Sequence, residues 1–389
     1  MYRYSQRLSW SFLSNPLAKL LEEKRAAGVP LLDLTISNPT AILPDYPNEA
    51  IAAAYAAVSD FTYYPSPTGL EEAKIAIAEY YARSGIPVSP SQLLLTASTS
   101  EAYALLFKLF CNPQDEVLVP RPSYPLFEYL AGLECVRTVP YRLLYDGAWS
   151  IDFEDLRERV TPRTRAIVAV NPNNPTGSFL SAADFERLTN LADRSKVPII
   201  SDEVFRDYGF SNPPDRVTTL IGHDAVLSFS LNGLSKLAGM PQMKLGWITI
   251  NGPAQEREIA RQRLELLLDT YLSVNTPVQR ALPGLLRIGM EVQRQIVNRT
   301  KHNWDVLRDL LNGSPAHPLH TEGGWSAIIQ LPGTLSEEIW TARLLNEQNV
   351  IVQPGYFFDM TSEPYMVVSL ITPPENFREG IDRLRRMIG

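Results

Sequence analysis

Six short apolar runs recur through the middle of this 389-residue chain: Leu93 to Thr96, Val117 to Val119, Ala166 to Val170, Val197 to Ile200, Ala225 to Ser230 and Leu245 to Ile250. Helical patterns separate them. A strand that is apolar on both faces has to be covered on both faces, and strands of that kind alternating with helices predict an α/β fold: a mostly parallel sheet flanked by helices. Between Ser100 and Phe110 the apolar residues Ala102, Leu105, Leu106 and Leu109 fall at helical spacing, so a helix is expected to open at Ser98-Thr99-Ser100. From about Arg280 the texture changes. A long helical pattern reaches Leu311, then Gly324 to Ile329, Val350 to Val352 and Met366 to Leu370 read as strands. The last helix opens at Thr372-Pro373-Pro374-Glu375, since proline is tolerated in a first turn. The expected division is a large domain over residues 45–280 and a smaller α+β domain built from both chain ends, 1–44 with 281–389.

Composition narrows the function. A hydrophobic content of 45% in a chain of this length is enough for a large core. The net charge of -7 and the isoelectric point near 5.3 argue against a nucleic-acid or polyanion partner, so an anionic ligand would need a local pocket of donors. Cys111 and Cys135 show neither metal-ligand spacing nor a disulfide framework, and they are expected to be buried thiols of a reducing compartment. No apolar stretch is long enough to span a bilayer, and residues 1–21 lack an uninterrupted apolar core of a signal peptide. A cytoplasmic enzyme without a metal site or a membrane partner is expected.

Three motifs each follow a strand-like segment: Asn171-Pro172-Asn173-Asn174-Pro175-Thr176-Gly177, Ser201-Asp202-Glu203-Val204 and Ser235-Lys236-Leu237-Ala238-Gly239. An asparagine, a carboxylate and a lysine in that order resemble the class I/II aminotransferases of the fold-type I pyridoxal phosphate enzymes, with matches running from Asp33 to the C-terminus. The resemblance implies a pyridoxal 5'-phosphate cofactor, and with it transfer of an amino group between a small-molecule amino donor and an oxo acid. It implies Lys236 as the residue that takes the cofactor's aldehyde and then moves the proton, and Asp202 as the partner of the pyridine nitrogen. Asn174 would donate to the ring oxygen, and Tyr124 would stack on the ring. Ser98, Thr99 and Ser100 would bind the phosphate, where hydroxyls and free N–H groups at a helix start make an anion site. Tyr64 matches a tyrosine that reaches the phosphate of a neighbouring subunit, which implies a homodimer with shared sites. Cis peptide bonds before Pro122 and Pro175 are implied as well.

The chain departs from that pattern at four places. Lys244 stands where the family has an arginine on the phosphate, keeping the charge without the bidentate fork. Gly233 replaces a serine, and Phe205 replaces a tyrosine that donates to the ring oxygen, a role for which Tyr208 is an alternative. Val367, in Met366-Val367-Val368-Ser369, occupies the position of the arginine that clamps the substrate carboxylate. Arg206 and Arg121 are the nearest replacements in sequence. Because the clamp also orients the bond to be broken, a pyridoxal phosphate lyase or decarboxylase acting on an amine or an unusual amino acid is the alternative activity. A regulatory module of the same fold is a third reading, disfavoured because Met1 leads almost directly into the core. Tyr63, Tyr208, Trp325, Tyr356 and Phe357 suggest an aromatic-lined pocket.

Overall fold

The structure, a computed structural model, describes residues 2–8, 10, 15–272, 274–362 and 364–389. Eight strands form its central sheet: β1 (Leu93–Thr96), β2 (Glu116–Arg121), β3 (Arg137–Tyr145), β4 (Trp149–Ile151), β5 (Thr164–Val170), β6 (Ile199–Asp202), β7 (Ser228–Gly233) and β8 (Gly246–Asn251). Their order is β1-β8-β7-β6-β5-β2-β3-β4. The run from β7 through β3 is parallel, β8 is antiparallel to both of its neighbours, and β4 is antiparallel to β3. This is the α/β architecture expected from the apolar runs.

Alternation along the strands decides which helices cover which face. Val117, Val119, Ala166, Val168, Ile200 and Phe229 point to one side. Of the helices α1 (Glu71–Ala82), α2 (Thr99–Phe110), α3 (Ala182–Ser195), α4 (Ala254–Tyr271) and α5 (Thr276–Leu311), that side is covered by α2 and α4. Leu118, Ile167 and Ile199 point the other way and pack on Leu188 and Ala192 of α3, while Leu93, Leu95 and Trp247 pack on α1 and the first half of α5. The serine at the expected helix start is the N-cap of α2, its Oγ accepting the Glu101 N–H at 3.1 Å.

Two expectations shift. The strand expected at Ala225 to Ser230 lies at Ser228–Gly233, because β7 is hydrogen-bonded on both sides and carries polar residues into the sheet interior. Ser230 and Asn232 are tolerated there because they donate to Glu203, at 3.0 and 3.1 Å. β3 and β4 are not marked by an apolar run, since they close one side of the sheet and most of their positions are exposed or half-buried, with Tyr141 and Ile151 the buried ones. Cys111 and Cys135 are half-buried and not fully buried; burial still pushes the Cys111 thiol up to about 12.

Beyond the central sheet, β9 (His317–Pro318), β10 (Ser326–Gln330), β11 (Gln353–Pro354) and β12 (Tyr365–Ser369) form an antiparallel sheet in the order β9-β10-β12-β11. The helices α6 (Glu337–Gln348) and α7 (Pro374–Ile388) pack with this sheet around Ala327, Ile329, Met366 and Val368. N-terminal residues join it: Leu32–Asp33 pairs in parallel with Val350–Ile351, and Leu34 accepts the Ser369 N–H at 2.7 Å. The helix α5 serves both clusters. Leu282, Leu285 and Leu286 pack on the central sheet, whereas Trp304, Leu307 and Leu311 pack in the C-terminal cluster, so residue 280 falls inside one continuous helix. No described helix is long and apolar enough to cross a membrane.

Trp247 tests the packing of the β8 face. It is fully buried, meets Tyr81 edge to face at 6.4 Å and donates Nε1–H to the Tyr81 hydroxyl at 3.1 Å. Trp247→Ala is expected to cost about 3–5 kcal/mol in urea denaturation.

Candidate active site

Loops at the carboxyl edge of a parallel sheet are free to carry side chains into one crevice, and here they do. Asp202 closes β6, and Lys236 lies just past β7. Asn174 sits in the loop after β5, Tyr124 in the loop after β2, and Ser98, Thr99 and Ser100 at the turn from β1 into α2. All seven line one cavity of about 390 Å³, together with Lys244. Cis peptide bonds precede Pro122 and Pro175 as expected, and a third precedes Pro172.

The acid at the centre is buried and the amine is half-buried. Burial pushes the Asp202 carboxyl up to about 6, opposed by the Val204 N–H on Oδ1 at 3.2 Å, the Tyr103 hydroxyl on Oδ2 at 3.1 Å and the charge of Lys236. Burial likewise holds the Lys236 ammonium below its usual value, and the charge of Asp202 opposes this. The Nζ lies 4.9 Å from the centre of the Trp325 ring and 5.7 Å from that of Phe205. Such an amine is easily held neutral as a nucleophile or base. Asn174 is oriented by Ser326, whose Oγ donates to Oδ1 at 3.1 Å and leaves Nδ2 for a ligand.

Anion binding has its own geometry. The start of α2 and Lys244 face the same cavity, beside the close pair Gly233 and Gly246. A Cβ on Gly233 would stand 2.8 Å from the Gly246 Cα, so a serine at that position would force the strands apart. The substitution noted at Gly233 is thus part of how β7 meets β8. Lys244 is exposed and takes up a left-handed backbone at φ 50°.

Other expectations are redirected. Tyr64 is 64% exposed and outside the cavity of its own chain, beside the similarly exposed Phe61 and Tyr63. Tyr208 is not free to serve a ring oxygen, because it is fully buried and its hydroxyl donates to the Lys236 carbonyl at 2.5 Å. Of the aromatic residues expected in the pocket only Trp325 lines it; Phe205, Phe127 and Phe358 complete the wall with Tyr124. Neither candidate arginine enters. Arg206 is bound to Asp207 at 3.0 Å with its guanidinium over Tyr81, and Arg121 faces Asp359 at 3.8 Å.

Sequence reasoning missed Tyr103, Glu203 and Glu322. Tyr103 lies on the buried stripe of α2, where an aromatic reads as core. Glu203 is caged by Ser201, Ser230, Thr219 and the Leu220 N–H, at 2.6 to 3.0 Å. Glu322 clasps the C-terminal segment to the central sheet. It accepts the Phe179 N–H at 3.0 Å and the Arg216 guanidinium at 2.9 Å, and its own backbone bonds Gly177 and Phe210. Apart from Ser201, the glutamates' partners lie well away in sequence, so no local signal marks them.

A family model described as aminotransferase class I and II matches residues 29–384. The chain is 28% identical over 308 residues to the glutamate-pyruvate aminotransferase AlaA of Escherichia coli K12, covering 77% of this chain and 75% of that protein. It is 28% identical over 380 residues to the tyrosine aminotransferase of Mus musculus, covering 93% and 82%. Among solved structures it is similar to an alanine aminotransferase from Pyrococcus furiosus, with a TM-score of 0.88 and 26% identity over 99% of both chains.

The raised carboxyl of Asp202 sets a pH dependence. The ligand-free folded protein binds that proton more tightly than the unfolded chain does, so the group's contribution is present below ~pH 4 and is lost as pH rises through ~pH 6. Asp202→Asn is expected to remove that slope. The variant should then gain up to about 3 kcal/mol relative to wild type between ~pH 4 and ~pH 7, read by urea denaturation of ligand-free protein.

Proposed function

Given that the chain belongs to the class I and II aminotransferases, we propose that its cavity holds pyridoxal 5'-phosphate and that Lys236, Asp202 and Asn174 are the residues that work on it. The reaction moves an amino group between an amino donor and an oxo acid. The observation that carries the cofactor reading is the convergence of three unlike groups in one cavity: a half-buried amine, a buried carboxylate and a helix start with a nearby lysine. They suit an aldehyde, a protonatable nitrogen and a phosphate. When bound, the cofactor supplies the electron sink for the carbon that loses its proton.

The chain's own groups do the rest. Lys236 Nζ, kept below its usual basicity by burial, takes the proton from the substrate carbon and returns it on the other side of the transfer. Asp202, held by Tyr103 and the Val204 N–H, keeps a negative charge against the ring nitrogen, and that pairing lowers its own raised pKa. Asn174 Nδ2 donates to the ring oxygen, for which Phe205 has no donor to offer. Ser98, Thr99, Ser100 and Lys244 bind the phosphate, and Tyr124 covers the ring. The exposed aromatic group Phe61, Tyr63 and Tyr64 supports a homodimer in which Tyr64 reaches the partner's phosphate. Transamination is preferred over a lyase or decarboxylase because the relatives quoted above are all aminotransferases.

Lys236→Ala is expected to abolish the long-wavelength absorbance of lysine-bound cofactor and its trapping by borohydride. Lys244→Ala should keep that absorbance but weaken cofactor binding about tenfold or more, measured by equilibrium dialysis. Borohydride-trapped cofactor on Lys236→Ala would remove the lysine from its role.

A further inference from the structure

We infer that the amino donor this cavity takes is a primary amine with an apolar or aromatic body and no carboxylate on the carbon that bears the nitrogen. The inference rests on the amino-transfer reading above. Among the described residues lining the cavity the ionisable cations are Lys236 and Lys244, and there is no arginine or histidine. Both lysines have work on the reading above, Lys236 with the cofactor's aldehyde and then the migrating proton, and Lys244 with the phosphate. Residues 1, 9, 11–14, 273 and 363, which lie outside the description, contribute no lysine, arginine or histidine side chain.

The substrate side of the wall carries no charge: Thr35, Ser37, Ser326, Gln353 and Ser369 line it with Trp325 and Phe358. Ser369 lines the cavity, and Val367, two residues earlier on the same face of β12, is 1% exposed in a cluster with Leu319, Ile328 and Phe358. Guanidinium groups outside the lining are directed elsewhere: Arg206 to Asp207, Arg121 towards Asp359 at 3.8 Å, and Arg299 to the Ile42 and Ile371 carbonyls at 3.0 and 3.3 Å. Two neutral donors are spent as well, the Ser369 Oγ on the Ile36 carbonyl and the Ser326 Oγ on Asn174.

Charge accounting points the same way. A phosphate of about -2 outweighs the single charge of Lys244, and Asp202 is offset only by the ring nitrogen, so no positive surplus remains for a second anion. A carboxylate entering here would leave water for partly used neutral donors, a loss without compensation. An amine arrives with a cation that the rings already suit, since Trp325 and Phe205 flank the Lys236 ammonium. Its apolar body meets Phe358, Phe127 and Tyr124.

The step balances with the established partners. The donor R–CH2–NH3+ loses a C–H proton to Lys236, its nitrogen and two electrons pass to the cofactor, and water supplies the oxygen of the departing aldehyde R–CHO. An oxo acid then recovers the nitrogen and the electrons as an amino acid. Its carboxylate meets the same neutral wall, so the acceptor half-reaction is expected to saturate poorly.

The test uses the holoenzyme. In single half-reactions 2-phenylethylamine is expected to discharge the lysine-bound absorbance with a second-order rate constant at least about tenfold above that of L-phenylalanine. Calorimetry with unreactive analogues gives a readout separate from turnover: 3-phenylpropanamide should bind at least about tenfold more tightly than 3-phenylpropanoate. Val367→Arg, where it folds, should reverse that order. A native protein that prefers the carboxylate in both assays overturns the inference and leaves amino transfer standing, with a cation then supplied by a partner subunit. Failure of amines and amino acids alike to discharge the absorbance overturns the amino-transfer reading itself, and this inference with it.

Discussion

A buried carboxylate and a half-buried amine share one cavity at the carboxyl edge of the central sheet, and much of the surrounding structure serves to keep them there. Asp202 is nearly out of contact with water and has one hydroxyl, one backbone N–H and the charge of Lys236 to answer it. An anion so weakly compensated is tolerable only if its surroundings are rigid. β6 is bonded on both sides, and Glu203, the next residue, is locked by three hydroxyls and a backbone N–H. Tyr103 comes from α2, whose start lines the cavity, so one helix both holds Asp202 and supplies part of the wall.

The opposite wall depends on a half-buried carboxylate. Glu322 holds Thr321 to Gly324 against the loops that carry Asn174 and Tyr208, and the Gly324 N–H donates to the Tyr208 carbonyl at 3.0 Å. Gly177 makes that approach possible. Its φ is +68°, and a Cβ there would fall 1.8 Å from Thr321 Oγ1 and 2.3 Å from the Gly323 carbonyl oxygen. The clasp delivers Trp325 to the face of Lys236 and Ser326 to Asn174. Residues from two sheets thereby behave as one wall.

What distinguishes this cavity is the balance of charge between its ends. One end has a helix start and Lys244, while the other is lined by Ser369 of β12, Ser326 and aromatic neighbours. The arginines nearest in sequence are engaged outside the cavity. On the reading proposed above, the amine chemistry is retained while no arginine among the described residues lines the cavity to grip a carboxylate.

How much of this could be read from the chain alone follows from the range of each interaction. Continuous apolar runs report strands covered on both faces, so the parallel sheet was legible, and so were Lys236, Asp202 and Asn174, each carried by a short motif just past a strand. The polar strand β7 and the edge strands β3 and β4 were not legible in the same way, because their stability comes from ladder partners and from Glu203. Sequence order also showed that Val367 is not an arginine, but only the folded chain showed where Arg121 and Arg206 go. Tyr103, Glu203, Glu322 and the enclosed Tyr208 acquire their roles from partners up to 143 residues away. The sequence by itself determined which chemical groups stand at strand ends, since that information is local. The tertiary structure decided which of them are buried, which charges are already spent and what the substrate wall offers, because burial and pairing exist only once distant segments meet.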